Sequence, residues 1–141
     1  MITDGFECVY VELEWYDGPR KGLAVIDGVP HYFEGRDYDH ADEADEYDVW
    51  SASDAAVAME REQWAIFANW NERREAGAVD LGSHPGSGGV DARYDELDVL
   101  LAPYRQAPDG AQRLAGEMRF DAGAGYRVDG VGYWFRWRPV S

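Results

Sequence analysis

The sequence predicts an α+β domain: a curved, mostly antiparallel sheet of about five strands in the order βββ-α-α-ββ, with two helices packed on one face. Three observations predict it. Residues 6–16 alternate apolar and polar side chains, the period of a half-buried strand. Asp27-Gly28 lies between two short apolar runs, the signal of a tight hairpin whose turn needs positive φ. Residues 54–76 carry Met59, Gln63, Ile66 and Trp70 on one helical face, widened by Val57, Trp64 and Phe67.

The elements follow in order. In the first strand Val9, Val11, Leu13 and Trp15 are expected to point one way, and Tyr10, Glu12 and Glu14 the other. Asp17-Gly-Pro-Arg20 is a turn. Residues 22–27 and 29–34 form the two arms of the hairpin, and Pro30, which lacks an N–H, belongs at an unpaired or edge position. Ser51 and Asp54 have capping-box spacing for the long helix, and Gly77 stops it. Residues 77–92 form a Gly/Ser-rich connection of the length often found in mobile or functional loops. A second helix spans about Asp91 to Ala102, with Tyr94, Leu97, Leu101 and Tyr104 at helical spacing and Pro103 ending it. Residues 113–121 alternate again, and residues 126–138 form one strand or two short ones. In the last segment Tyr133, Phe135 and Trp137 share a face opposite Trp134, Arg136 and Arg138.

With 141 residues, six Trp, nine Tyr and five Phe, the chain suits a single domain, residues 1–141, with one sizeable core. The formal net charge is −15. It is unevenly distributed: residues 1–60 hold sixteen acidic residues against three basic ones. Such a chain is a poor partner for free nucleic acid or an anionic membrane, because phosphate binding needs local positive charge. A basic protein surface or a metal cation is the better partner. Cys8 is the single cysteine, so an intrachain disulfide and a multi-Cys zinc site are excluded. The absence of a long apolar run and of a signal-peptide pattern makes the cytoplasm the expected location.

The charge concentrates in Glu34–Asp48, where eight of fifteen residues are carboxylates and Arg36 alone opposes them. Like charges at this density favour a surface loop or a sheet edge over a core. Glu34, Asp37, Asp39, Asp42, Glu43, Asp45, Glu46 and Asp48 are therefore the candidate partner-binding residues. Asp37, Asp39 and Asp48 fit three positions of an EF-hand window, but Ala41 and Asp42 stand where a ligand and the required Gly belong. A solvated acidic segment is expected, and no metal or other cofactor. His31, His40 and His84 form no ligand pair. Cys8 reads as a core thiol. Ser83, His84 and Ser87 lack an oriented base, so no catalytic residue is assigned. Glu12 and Glu14 share a face and read as solvated carboxylates. The aromatic and basic run Tyr133–Arg138 reads as a core strand whose arginines pair with carboxylates of the first strand.

Trp15-Tyr-Asp-Gly-Pro-Arg20, then Gly22-Leu-Ala, then Gly28-Val-Pro-His-Tyr-Phe-Glu34 resembles a loose group of small, uncharacterised bacterial proteins. In these a YDGP turn precedes a GxPHYF strand and a Trp-rich helix. The resemblance covers roughly the first seventy residues, implies an α+β fold and brings no catalytic residues.

These readings lead to a non-catalytic acidic protein that engages a basic surface of a protein partner. Analogy of size and charge adds the toxin immunity proteins and the inhibitors of nucleases or CRISPR systems. The alternative is a small-molecule-binding domain or enzyme, with a pocket between the sheet and the Trp64/Trp70 helix and residues 77–92 as its lid.

Overall fold

The computed structural model describes residues 5–15, 19–36, 45–120 and 132–140. These residues form β1 (Glu7–Trp15), β2 (Pro19–Ile26), β3 (Val29–Gly35), β4 (Asp45–Ser51), α1 (Asp54–Glu75), α2 (Ala92–Leu101), β5 (Gln112–Phe120) and β6 (Tyr133–Pro139). Every strand pairs antiparallel with its sequence neighbours, and β1 also pairs with β6. The sheet therefore closes into a barrel. The fold is α+β with two helices, as expected, but with six strands among the described residues and with no open edge between them.

The additional strand is β4, which lies in the acidic segment expected as a loop or sheet edge. Period-2 alternation explains it. Tyr47 and Val49 are each 1% exposed and enter the barrel, while Glu46 and Asp48 occupy the alternate positions. Two apolar anchors thus outweigh the repulsion of their acidic neighbours. Pro30 takes the unpaired position, on its β4 side, rather than an edge, because β3 lies between β2 and β4. It pairs opposite Val25, and its carbonyl accepts from the Ala52 N–H at 3.1 Å. The β4 ladder starts at His31↔Ser51, so the missing proline donor interrupts no ladder bond to β4.

The barrel interior is filled. Val9, Ala24, Ile26, Phe33, Tyr47, Val49, Leu114, Tyr133 and Phe135 form one buried cluster, with Trp137 packed against it. Phe33 meets Tyr47, Phe135 and Trp137 with ring centroids 5.7, 5.5 and 5.8 Å apart. A second cluster lies on the helix side of the sheet: Val11, Leu23, Tyr32 and Ala56, flanked by Tyr10, Leu13, Trp50, Ala52 and Trp64. Tyr32 and Trp50 stack at 5.5 Å there.

Val9 and Val11 were expected on one face and are in different clusters. The register explains the correction: Val9 pairs with Ala24 but Val11 with Leu23, so β1 holds one extra residue, Tyr10, and bulges. A second shift follows between Glu12 and Glu14. The bulged strand comes so close to β2 that a Cβ on Gly22 would stand 2.0 Å from the Val11 carbonyl oxygen; only glycine fits. The β2–β3 turn is as expected, with Asp27 at φ 52° and Gly28 at φ 77°.

Both helices begin on side-chain caps. Ser53, rather than Ser51, caps α1, its Oγ accepting from Ala56 N–H at 3.1 Å. Asp91 caps α2, accepting from Tyr94 N–H at 2.9 Å. The buried stripe of α1 contains Ala56, Glu60, Gln63, Ala68, Trp70 and Asn71. Of the Met59, Gln63, Ile66 and Trp70 face expected from periodicity, Gln63 and Trp70 are buried, and Glu60 and Asn71 make the buried stripe more polar than expected. On α2, Leu97 and Leu101 are buried as expected, whereas Tyr104 is exposed. The 77–92 connection packs on α1. Its two short 3-10 turns, Leu81–Ser83 and Pro85–Ser87, place His84 4.5 Å from Trp70 and 5.5 Å from Phe67, measured between ring centroids. Trp70 Nε1 donates to Ser83 Oγ at 2.7 Å.

Candidate functional site

Of the candidate partner-binding residues, Asp37, Asp39, Asp42 and Glu43 lie outside the described residues. Asp45 opens β4, with its side chain likewise outside them. Glu34, Glu46 and Asp48 are described, and each meets a cation of the same chain. Register aligns Lys21, Glu34, Asp48 and Arg113 in one row across four strands. Lys21 Nζ is 3.1 Å from Glu34. Arg36 Nη1 donates to both Asp48 oxygens at 3.0 Å. Arg113 reaches Glu46 at 3.8 Å. Half-exposed pairs of this kind contribute about 0–1 kcal/mol each. Their larger effect is to neutralise this part of the acidic segment.

Beneath the helices lies a buried ionic site that no local pattern announced. Glu60 is 0% exposed. Arg105 grips it with two bonds, Nε to Oε2 at 2.9 Å and Nη2 to Oε1 at 2.6 Å, and Tyr32 Oη donates to Oε2 at 2.7 Å. Arg105 also donates to Gln63 Oε1 and Asp98 Oδ1. Gln63 Nε2 donates to Asp98 Oδ1 at 2.8 Å and to the Tyr94 carbonyl at 3.1 Å. The network joins β3, α1, α2 and the segment after α2. Burial alone would pull the Arg105 pKa down, but hydrogen bonds to Glu60 and Asp98 raise it. Burial, then the bond to Glu60, pushes the Tyr32 phenol well above its ordinary range.

Against this network opens a cleft of about 270 Å³, lined by Glu12, Leu13, Lys21, Gln63, Tyr94, Asp98 and Arg105. It lies between the sheet and the helices. Trp64, Trp70 and residues 77–92, which the small-molecule alternative placed around a pocket, do not line this cleft. Glu12 is the unusual group. Its register partner is Gly22, in a row continuing through the interior residues Phe33 and Val49. Its Oε1 is sealed from solvent and has no hydrogen-bond partner. Burial raises its pKa from 4.5 to about 7. The expectation of a solvated Glu12 is thus corrected, because the β1 bulge sets it at a barrel position. Tyr10 Oη and the indole N–H groups of Trp134 and Trp137 are also buried without partners.

The remaining candidates acquire structural roles. Burial raises the Cys8 pKa, which leaves a poor nucleophile. His31 Nδ1 lies 2.9 Å from the Val29 carbonyl. His84 Nδ1 accepts from Gly86 N–H at 2.9 Å, and Ser83 Oγ donates to the Asp80 carbonyl at 2.7 Å, so these two hold the loop. Arg136 pairs with Glu117 of β5 at 2.7 Å, because β5 supplies the acid directly opposite it. Among the described residues no group of three or more His, Cys, Asp or Glu could hold a metal ion. No helix among them is long and apolar enough to cross a membrane.

No family model, no curated protein and no solved structure matches the chain.

Proposed function

We propose that this protein is a non-catalytic acidic binding module that engages a basic surface on a protein partner, with the acidic segment around Asp37–Asp48 as the centre of contact. One observation carries the reading: the excess of negative charge has no internal outlet. The chain holds 28 acidic and 13 basic residues, and its described cations are largely committed to its own carboxylates. Lys21, Arg36, Arg93, Arg105, Arg113, Arg119 and Arg136 all sit in intramolecular ion pairs. Asp54, Asp80 and Asp109 are exposed and add to the outward negative field. Such a field speeds encounter with a positive groove and rejects polyanions. A nucleic-acid-handling enzyme, whose groove is built for phosphates, has the complementary surface.

The test is affinity capture from the native host at low salt, followed by dissociation constants for the captured partner. Affinity is expected to fall about tenfold or more between low and high salt, as charges become screened beyond ~8 Å at physiological ionic strength. A comparable loss is expected when Asp37, Asp39 and Asp42 become Asn and Glu43 becomes Gln. An affinity indifferent to both salt and substitution would refute the proposal.

A further inference from the structure

Three large apolar side chains stand out of the protein at the end of α2. Val99 is 75% exposed, Leu100 46% and Tyr104 40%, and Ala102 and Pro103 between them are exposed as well. Helical spacing placed Tyr104 with the buried Leu97 and Leu101, but α2 ends at Leu101, so Tyr104 leaves that register. The stretch is nonetheless firmly held. Leu97 and Leu101 are fully buried on its inner side. The Tyr104 N–H donates to the Leu101 carbonyl at 2.9 Å, and the Tyr104 carbonyl accepts from Trp50 Nε1 at 3.0 Å. An apolar patch that is both exposed and held in place marks a contact surface.

The charge around the patch is negative. Glu96 lies one turn before Val99 and Leu100 on the same side of the helix. Arg93 is shared by Glu62 and Glu96, and Arg105 by Glu60 and Asp98. Each arginine therefore faces two carboxylates, and an acidic excess remains. The helix end adds to it. The last turn of α2 carries no basic side chain, and Pro103 has no N–H to offer the Val99 carbonyl. Carbonyls at the negative end of a helix favour cationic donors.

We propose that this end of α2 docks an amphipathic helix of a partner protein that carries Lys or Arg beside an apolar face. The apolar face covers Val99, Leu100 and Tyr104, and the basic side chains reach Glu96 and the terminal carbonyls. The same charges argue against other occupants. A second copy would set acids against acids, and an anionic membrane meets the same repulsion. The surface uses residues separate from the acidic segment and does not depend on it.

The experiment is an NMR titration of the whole chain with a synthetic peptide of about 18 residues, long enough to hold a helix, with Leu on one helical face and Lys on the other. The controls are a scrambled peptide of the same composition and the Leu/Glu counterpart. Expected are saturable amide shifts at Val99, Leu100 and Tyr104 with the Leu/Lys helix, binding at least about tenfold weaker with the scrambled peptide, and none with Leu/Glu. Val99→Ser combined with Leu100→Ser, both at exposed positions, should weaken binding at least about tenfold while leaving the rest of the amide spectrum in place. In the unaltered protein, nuclear Overhauser contacts between peptide Leu methyls and the Tyr104 ring give a readout independent of any variant. The proposal is overturned by shifts that spread over the acidic surface without saturating at these residues, by equal binding of the scrambled peptide, or by indifference to the double substitution. Shifts at Val99 and Leu100 that move on dilution of the free protein would assign the face to a second copy and overturn it too. The variant with Asp37, Asp39 and Asp42 as Asn and Glu43 as Gln should keep the saturating shifts. Their loss there would place the contact on the acidic segment, so the two proposals fail separately.

Discussion

Glu60 and Glu12 are both acids drawn out of water by the same layer of the molecule, and they resolve the cost of burial in opposite ways. Glu60 is fully buried and receives three hydrogen bonds, one from Tyr32 and two from Arg105. Glu12 is less deeply placed, yet one of its oxygens receives none, and its pKa rises to about 7. The difference teaches that depth alone does not set the cost of burying a carboxylate; the donors that reach it do. Glu60 therefore acts as a joint between β3, α1 and the chain after α2. Glu12, without such donors, holds its proton instead.

The strongest way to break the contrast is to make Glu60 resemble Glu12. Arg105→Ala leaves a buried carboxylate without its cation, and unfolding in urea is expected to show a loss of about 3–5 kcal/mol. A loss below about 1 kcal/mol would mean that Glu60 needs no such partner, and the contrast would collapse.

Removing the charge of Glu12 sharpens the contrast from the other side, with the sign reversed. Its proton is held more tightly in the folded protein than in the unfolded chain. Stability is thus undiminished below about pH 4.5, falls as pH rises through about 7, and levels off above. At ~1.4 kcal/mol for each tenfold change in proton affinity, a rise from 4.5 to about 7 makes the full effect about 3.5 kcal/mol. Glu12→Gln is expected to match the parent near pH 4.5 and to exceed its stability by about that amount at pH 8. Urea unfolding at the two pH values checks it. A difference that does not grow with pH would show that Glu12 ionises as freely as an exposed acid.

The smallest effect is expected where neither burial nor orphaning applies. Arg36→Ala removes a pair whose arginine side chain is 42% exposed, and should lower stability by less than ~1 kcal/mol. A thermal shift measurement showing a far larger loss would indicate that the β2–β5 charge row is a structural element in its own right.

The sequence showed the short-range features well. Asp27-Gly28 marked its hairpin, Asp91 and Gly77 marked helix ends, and the alternation at 133–137 marked β6. It failed where a local pattern was crossed by a distant partner. The eight carboxylates of Glu34–Asp48 obscured the inward pair Tyr47 and Val49, and thus a strand. Strict alternation in β1 hid the extra residue at Tyr10. Glu60 sat in a helix as an ordinary polar residue, because its arginine is 45 residues away. A signal existed in retrospect: Glu60, Gln63 and Asn71 interrupt the face of α1 that meets the sheet, and polar residues on a buried stripe call for partners.

By itself, then, the sequence determined which segments are strands and helices, β4 excepted, where most of them turn, and that the chain carries a large negative charge, since these depend on backbone preferences and periodicity over a few residues. Tertiary structure decided that the sheet closes, that Val11 leaves the face of Val9, that Glu60 finds Arg105 and that Glu12 finds no one. Those outcomes depend on inter-strand register and on which side chains meet across the fold, and register is set only when all six strands pair at once.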